Sequence, residues 1–193
     1  MATVLLALPI SSCQDNFETI RITNVKNFLP EDYMSNKSAI FKDANLNEQT
    51  LAVNYSENIV TENLPSNQEI ENEQIYTTLV SEDAQTNIII TGGAYIHSSG
   101  EKRDEFLSIN FNLFSGKPSL STEINITRNQ IISMHENNFS DSVKIINRTF
   151  LNVYSTIDTT QNACSEIYYN PNFGIIGFVD KYGEKWEFLN FEE

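Results

Sequence analysis

The chain has 193 residues, a formal net charge of −14 at pH 7, and only two cysteines and two histidines. This charge excludes nucleic acid as a partner, because an acidic surface repels the phosphate backbone, and it disfavours direct adhesion to anionic lipid. Twelve Phe, eight Tyr and one Trp supply enough apolar bulk for one folded domain with a sizeable core, which excludes intrinsic disorder.

The first element is a short apolar run that ends at a cysteine. Residues 1–10 are largely apolar, Ser11 and Ser12 are small, and polar sequence begins directly after Cys13. An apolar stretch followed by small residues is typical of a secretion signal. The segment resembles the lipobox of small Bacteroidota-type lipoproteins of unknown function, although Ser rather than Gly or Ala precedes the cysteine. The resemblance implies a signal segment over residues 1–12, a lipid on Cys13 and a single β-rich domain over residues 13–193.

Two features of this N-terminal region leave alternatives open. A signal peptide begins with basic residues, but no Lys or Arg precedes Cys13, so we expect the natural start to lie upstream of Met1. If Cys13 carries lipid, Cys164 has no partner within the chain, since these are the two cysteines. A disulfide between Cys13 and Cys164 in an exported protein is the competing interpretation.

Period-two alternation of apolar and polar residues dominates the next part of the chain and is typical of half-buried strands. Residues 20–22 can begin a strand, whereas residues 35–44 favour a short helix. Residues 51–55 alternate clearly and predict a strand. Residues 57–73 are polar and acidic, and they predict a long loop.

The middle of the chain continues the same pattern. The Gly92-Gly93 pair predicts a bulge or a sharp bend within its strand. A turn at residues 115–118 separates two alternating segments, which therefore predict a hairpin. The predicted strands of this region are residues 75–80, 87–97, 107–113, 120–126 and 143–153.

The C-terminal region predicts a three-stranded meander. Strand-like residues 166–169, 173–179 and 185–189 are separated by two turns. The block from Gly174 to Trp186 is similar to the close of many small Bacteroidota lipoproteins, which implies a shared fold and location but not an activity. Together these elements predict an all-β fold, an antiparallel β-sandwich or partly open barrel with minor helical turns.

Few residues suited to catalysis are present. His97 and His135 are the two histidines, and both fall in predicted turns, while Cys164 matches no nucleophile signature. Structural zinc would need more Cys and His, and the acidic residues lack the spacing of a calcium loop. We therefore predict no catalytic residue, no metal site and no cofactor.

Aromatic residues near the C-terminus form the candidate binding surface. Tyr168, Tyr169, Tyr182 and Trp186 can line a groove for a sugar or a lipid. Aromatic residues at alternating positions of terminal strands are more often part of a core. Both interpretations stay open at the level of sequence.

The sequence favours a noncatalytic lipoprotein that its lipid holds at the outer membrane of the cell envelope. Such a protein would act as a binding or structural module with an envelope protein partner. The first alternative is an envelope or polymer hydrolase, which convergent carboxylates or a pairing of Cys164 with a histidine would favour. The second alternative is a lipid carrier, which an apolar cavity would favour.

Overall fold

The computed structural model describes residues 19–64, 69–83, 86–112, 120–132, 136–157, 166–180 and 182–193. Most of them belong to one sheet of 13 strands that is nearly closed into a barrel. The prediction of an all-β fold is confirmed. No helix in these residues has the length and apolar character that crossing a membrane requires.

The elements follow one another along the chain mainly as antiparallel neighbours. The strands are β1 Thr19–Ile20, β2 Ser38–Lys42, β3 Glu48–Asn63, β4 Glu69–Ser81, β5 Asn87–Ile96, β6 Lys102–Asn112, β7 Leu120–Asn125, β8 Gln130–Ile132, β9 Glu136–Lys144, β10 Thr149–Ile157, β11 Glu166–Asn170, β12 Gly174–Val179 and β13 Lys185–Glu192. Helix α1, Asn24–Phe28, and a 3-10 helix, Glu31–Ser35, lie between β1 and β2.

The sheet begins at β8 and ends at β9, so the gap in the barrel lies between these two consecutive strands. The order is β8-β7-β6-β5-β4-β3-β2-β13-β12-β11-β10-β9, and the short β1 pairs in parallel with β4. Strand β13 therefore pairs with β2, with Phe188 opposite Phe41. The C-terminal meander of β11, β12 and β13, which the sequence predicts, is confirmed.

Aromatic rings from distant strands meet in the interior of the barrel. The ring centroid of Phe178 on β12 lies 5.2 Å from that of Phe41 on β2 and 5.4 Å from that of Phe111 on β6. Aliphatic side chains of β3 to β7 surround these rings, among them Leu51, Val53, Ile75, Leu79, Ile88, Ile90, Leu107, Ile109 and Ile124. Side chains thus pack this region as a core.

The segment before β2 packs against one end of this core. Val25 of α1 and Tyr33 of the 3-10 helix are fully buried. A Cβ atom on Gly92 would lie 2.2 Å from Val25 Cγ1, and one on Gly174 would lie 2.3 Å from Tyr33 Cζ. These two glycines therefore leave the space that the N-terminal side chains occupy.

The sequence predicts a bulge or a sharp bend at Gly92-Gly93, and the bulge does not lie at these two residues. Strand β5 pairs in regular register with β6 through both glycines, and the register shift lies later, between Tyr95 and Ile96. The glycines serve close packing instead, because the missing Cβ of Gly93 would lie 3.0 Å from the ring of Phe106.

Two buried glutamates hold the N-terminal segment by its backbone. Glu105 on β6 accepts hydrogen bonds from the amides of Thr23 and Val25 at 3.2 and 2.8 Å. Glu73 on β4 accepts one from the amide of Ile22 at 3.1 Å. The first amides of a helix have no acceptor within the helix, so the carboxylate of Glu105 caps α1 from a strand of the barrel.

A third buried glutamate ties the β9–β10 turn to β13. Glu187 Oε2 accepts hydrogen bonds from the three amides of residues 146–148 at 2.8, 2.8 and 2.9 Å. The turn covers the face of β12 that lies opposite to Phe178, where a Cβ on Gly177 would lie 2.7 Å from Ile145 Cδ1. Strand β12 is therefore buried along both faces.

Three of the secondary-structure predictions made from the sequence are wrong. Residues 35–44 hold β2 rather than a helix, because pairing with both β3 and β13 overrides the local preference. Residues 57–63 and 69–73 are strand rather than loop, since β3 extends to Asn63 and pairs with β4 in unbroken register from Glu69 onward. Residues 143–153 form parts of two strands, β9 and β10, that are separated by the turn at residues 145–148.

The buried glutamates predict a stability that falls in acid. Burial acts to raise the pKa of Glu187, but its three backbone hydrogen bonds outweigh burial, and the pKa lies below its ordinary value. Hydrogen bonds outweigh burial in the same way at Glu73 and Glu105. A lowered pKa contributes stability that is fully present above the unfolded value of about 4.5 and is lost as pH falls through the folded value. We expect the urea midpoint to be constant near neutral pH and to decrease below about pH 4.5.

The substitution Glu187→Gln isolates one of these carboxylates. It keeps the shape of the side chain but removes the charge, and we expect the free energy of unfolding at neutral pH to decrease by about 2 kcal/mol. The acid-dependent loss should also become shallower than in the wild type. The exposed Glu101 provides the matched control as Glu101→Gln. Wild-type stability and an unchanged pH curve in Glu187→Gln would contradict the role given to this carboxylate.

Candidate functional site

The four aromatic residues of the predicted binding surface lie in two different environments. Tyr169 is fully buried, and its hydroxyl donates a hydrogen bond to the backbone carbonyl of Phe28. Tyr168 is also buried, with the ammonium group of Lys185 lying 5.0 Å from its ring centroid. The structure brings the other two, Tyr182 and Trp186, to one cavity.

This cavity has a volume of about 400 Å³ and lies at the end of the barrel away from the N-terminal segment. Strand β12 fixes the direction, since it begins beside Tyr33 and ends beside the cavity. The walls come mainly from the β2–β3, β4–β5 and β12–β13 turns. The lining residues are Asp43, Asn45, Asn47, Gln49, Asp83, Thr86, Asp180, Tyr182, Glu184 and Trp186.

Two of the turns at the cavity share one geometry. Asp43 Oδ1 accepts hydrogen bonds from the amides two and four residues later, both at 2.8 Å. Asp180 Oδ1 does the same at 2.8 and 3.0 Å. The third residue after each aspartate, Leu46 or Gly183, has a positive φ of 69° or 84°. An aspartate side chain thus replaces a backbone acceptor in each turn and fixes its shape.

Trp186 forms a wall of the cavity that is fixed from two sides. Its indole stacks on the core residue Phe178 at 6.3 Å between ring centroids, with an interplanar angle of 22°. Its Nε1 donates a hydrogen bond to Asp180 Oδ2 at 3.1 Å. Tyr182 lies at the rim, where 72% of its surface is exposed. Trp186 therefore contacts the core through Phe178 and also lines the cavity, so both interpretations of its sequence position apply to it.

The charge of the cavity is entirely negative among its described residues. Four carboxylates line it, and no Lys, Arg or His does. The side-chain hydrogen bond from Asn47 holds the pKa of Asp43 below its ordinary value, although burial opposes this effect. Asp83 accepts a hydrogen bond from the hydroxyl of Ser81 at 2.6 Å. Glu184 makes no side-chain hydrogen bond within the described residues, and its carboxylate is available to a ligand.

The other residues that sequence analysis considered do not join this site. Cys13, Cys164 and His135 lie outside the described residues. His97 lies in the turn between β5 and β6, at the opposite end of the barrel, where its backbone pairs with Glu101. In the ranges that the structure describes, no three His, Cys, Asp or Glu side chains are grouped closely enough to hold a metal ion.

Sequence reasoning missed most of the cavity because its residues come from turns that are distant along the chain. Asp43, Gln49 and Thr86 belong to separate hairpins, and no spacing rule connects them. One signal was available: residues 43–47 and 180–184 both begin with aspartate and both close a hairpin through the same Asx geometry. That signal identifies matching turns, but it does not place them side by side.

Comparison with known proteins gives no relative that would assign this site. No protein-family model, no curated protein and no solved structure matches the chain. The resemblance to small lipoproteins therefore stays a prediction, and the argument for a function depends on the geometry of the cavity.

In both matching turns we predict that glycine is the more stable residue at the third position after the aspartate, where φ is positive. In the left-handed region a residue with a Cβ is strained by about 1–2 kcal/mol, while glycine loses about 0.5–1 kcal/mol more entropy on folding. The side chain of Leu46 is 71% exposed, so Leu46→Gly should raise the free energy of unfolding by about 0.5–1 kcal/mol.

Gly183→Ala is the matched variant, and it should lower the free energy of unfolding by a similar amount. A Cβ at Gly183 meets no atom within 4 Å, so backbone strain alone is tested. Urea denaturation of both variants gives the two values. A destabilised Leu46→Gly would show that the Leu46 side chain contributes packing that outweighs the strain.

Proposed function

We propose that the chain is a noncatalytic binding module that takes a ligand in the cavity at the β2–β3, β4–β5 and β12–β13 turns. We further propose that lipid on Cys13 holds the module at the outer membrane of the cell envelope, where an envelope partner would meet it. The cavity is the observation that supports the proposal most directly. It combines aromatic faces, amides and carboxylates around about 400 Å³, a volume suited to a small ligand or to part of a larger one.

The packing of the barrel interior supports this proposal over a lipid carrier. A carrier needs an apolar space that can enclose an acyl chain. Here the ring centroid of Phe178 lies 5.2 Å from that of Phe41 and 5.4 Å from that of Phe111, so aromatic rings occupy the interior. The residues that line the cavity are mainly polar. A polar ligand therefore suits the cavity better than an acyl chain does.

A hydrolase is the second candidate, because four carboxylates share one cavity. Acid–base hydrolysis of glycosides needs one carboxyl group that is held protonated and a second one that is ionised. Asp43 has its pKa lowered by Asn47, and Asp180 accepts hydrogen bonds from its own turn and from Trp186. Asp43 therefore serves the structure as an ionised acceptor, and Asp180 is engaged by its own turn and by Trp186, which favours binding over turnover.

One experiment separates these two functions. Trp186 is the single tryptophan of the chain, so its fluorescence reports binding in the cavity without any label. The full chain is titrated with a panel of glycans, peptides and amines, and product release is measured on the same samples. We expect saturable fluorescence changes without turnover. Turnover that is lost in Glu184→Gln would instead establish the hydrolase, and the absence of both signals would contradict the binding module.

The lipid on Cys13 is tested separately in cells. Multiple acyl chains anchor a protein stably, whereas a single chain binds a membrane only marginally. Expressed with its native upstream sequence, the wild type should fractionate with membranes and carry a lipid mass. Cys13→Ala should lose both, while Cys164→Ala is the matched control and should keep both. Membrane-bound Cys13→Ala together with an unmodified wild type would contradict the anchor.

A further inference from the structure

We propose that the cavity recognises an organic cation, a ligand that presents an ammonium or guanidinium group carrying several N–H donors. This inference rests on the proposed function, because it names the ligand class of the same cavity. It follows from three properties of the described walls: their charge, the state of their hydrogen-bond donors, and their aromatic surface.

The charge of the cavity selects against anions and favours cations. Asp43, Asp83, Asp180 and Glu184 contribute negative charge, and no described lining residue contributes a positive one. Asp43 is buried and Asp180 is half-buried, so these two act on a ligand through a lower effective dielectric than that of water, whereas Asp83 and Glu184 are exposed. A phosphate or carboxylate ligand would meet repulsion from every charged wall, whereas a cation would be attracted by each of them.

Three side-chain groups of the walls already donate a hydrogen bond within the protein. Asn47 Nδ2 donates to Asp43 Oδ2 at 2.7 Å. Gln49 Nε2 donates to Thr86 Oγ1 at 3.0 Å. The indole Nε1 of Trp186 donates to Asp180 in the β12–β13 turn. A ligand that needs these N–H groups would compete with bonds that the protein already makes.

An acceptor, in contrast, remains available in the same walls. Glu184 has an exposed carboxylate with no side-chain partner in the described residues, and it lies on the β12–β13 turn. The ligand that satisfies such walls brings donors and few acceptors. An ammonium group carries three donors and a guanidinium group five, and neither carries an acceptor.

The aromatic surface distinguishes an organic cation from a metal ion. Calcium needs six to eight oxygen ligands at about 2.3–2.6 Å, and in the described ranges no three acidic, His or Cys side chains are grouped closely enough to hold a metal ion. Two aromatic side chains, Trp186 and Tyr182, are instead part of the lining. Trp and Tyr faces attract alkylammonium and guanidinium groups through their quadrupole.

Three probes of one shape test the charge and the donors separately. The full chain is titrated with benzylammonium, benzyltrimethylammonium and benzyl alcohol, and the fluorescence of Trp186 is followed. Benzylammonium has charge and donors, the trimethyl probe has charge alone, and the alcohol has no charge. We expect benzylammonium to bind about tenfold more tightly than benzyl alcohol, with the trimethyl probe in between. Added salt should weaken both cations and leave the alcohol unchanged.

Variants of the walls locate the effect. Glu184→Gln and Asp83→Asn should each weaken benzylammonium by about tenfold and leave benzyl alcohol unaffected. The control is Glu101→Gln, which removes the same charge at the opposite end of the barrel and should change neither probe. Loss of benzylammonium binding in Glu101→Gln would mean that net charge, and not the cavity, attracts the cation.

The outcomes separate this inference from the proposed function. If benzyl alcohol binds as tightly as benzylammonium, or if maltose changes the fluorescence of Trp186 while all cations fail, the cation inference is overturned and the binding module stands. If no probe and no member of the ligand panel changes that fluorescence, both are overturned. Binding of benzylammonium that Glu184→Gln does not weaken would also overturn the inference, because the available carboxylate would then have no role.

Discussion

Hydrogen bonds between buried carboxylates and backbone amides connect parts of this chain that are far apart in sequence. Glu105 reaches back to Val25 over 80 residues, and Glu73 reaches Ile22 over 51. Glu187 binds the turn at residues 146–148, which packs over β12. A buried carboxylate is costly unless its oxygens are satisfied, so each of these side chains requires its amide partners to be in place. Sheet pairing builds the barrel wall, and these bonds fix what packs onto it.

The same chemistry appears at the opposite end of the barrel with a different outcome. Asp43 and Asp180 also accept backbone amides, but they lie in turns at the surface and leave their charge facing a cavity. Acidic residues therefore serve two purposes in this protein. Glu73 and Glu105 hold the N-terminal segment at one end of the barrel, and Glu187 holds the β9–β10 turn. Asp43 and Asp180 shape the turns around an electronegative recess at the other end. The high net charge is in part a consequence of this structural use of carboxylates, and not only of a solvated surface.

The parts of the fold that the sequence predicts well are those in which burial is a local property. Alternation along β6 is visible because one face of the strand is core and the other is not, and the turns of the C-terminal meander have marked residue preferences. The extension of β3 to Asn63 escapes prediction because its residues 56–61 are all exposed, so no face of the strand is marked by burial. Strand β2 escapes it because the strand depends on two partners that are distant along the chain.

The site shows the same division between local and distant information. Trp186 and Tyr182 stand out in the sequence because they are aromatic, and they do line the cavity. Tyr168 gives an identical signal but is buried, with Lys185 over its ring and a register shift directly after it that the sequence does not reveal. Asp43 and Gln49 look like ordinary turn and strand residues. Only the closure of β13 onto β2 brings their hairpin beside that of Asp180.

The pairing of β13 with β2 has a consequence for how the molecule reaches this shape. Most strands pair with the next strand along the chain, and such contacts form early because little chain entropy is lost. The β2–β13 pair and the bond from the Ile175 amide to Tyr33, which spans 142 residues, need regions from opposite parts of the chain to meet. We therefore expect ring closure of the meander to be the slow event in folding. Until it occurs, β2 and β13 would both present unpaired edges, at which the newly made protein would be prone to pair with other chains.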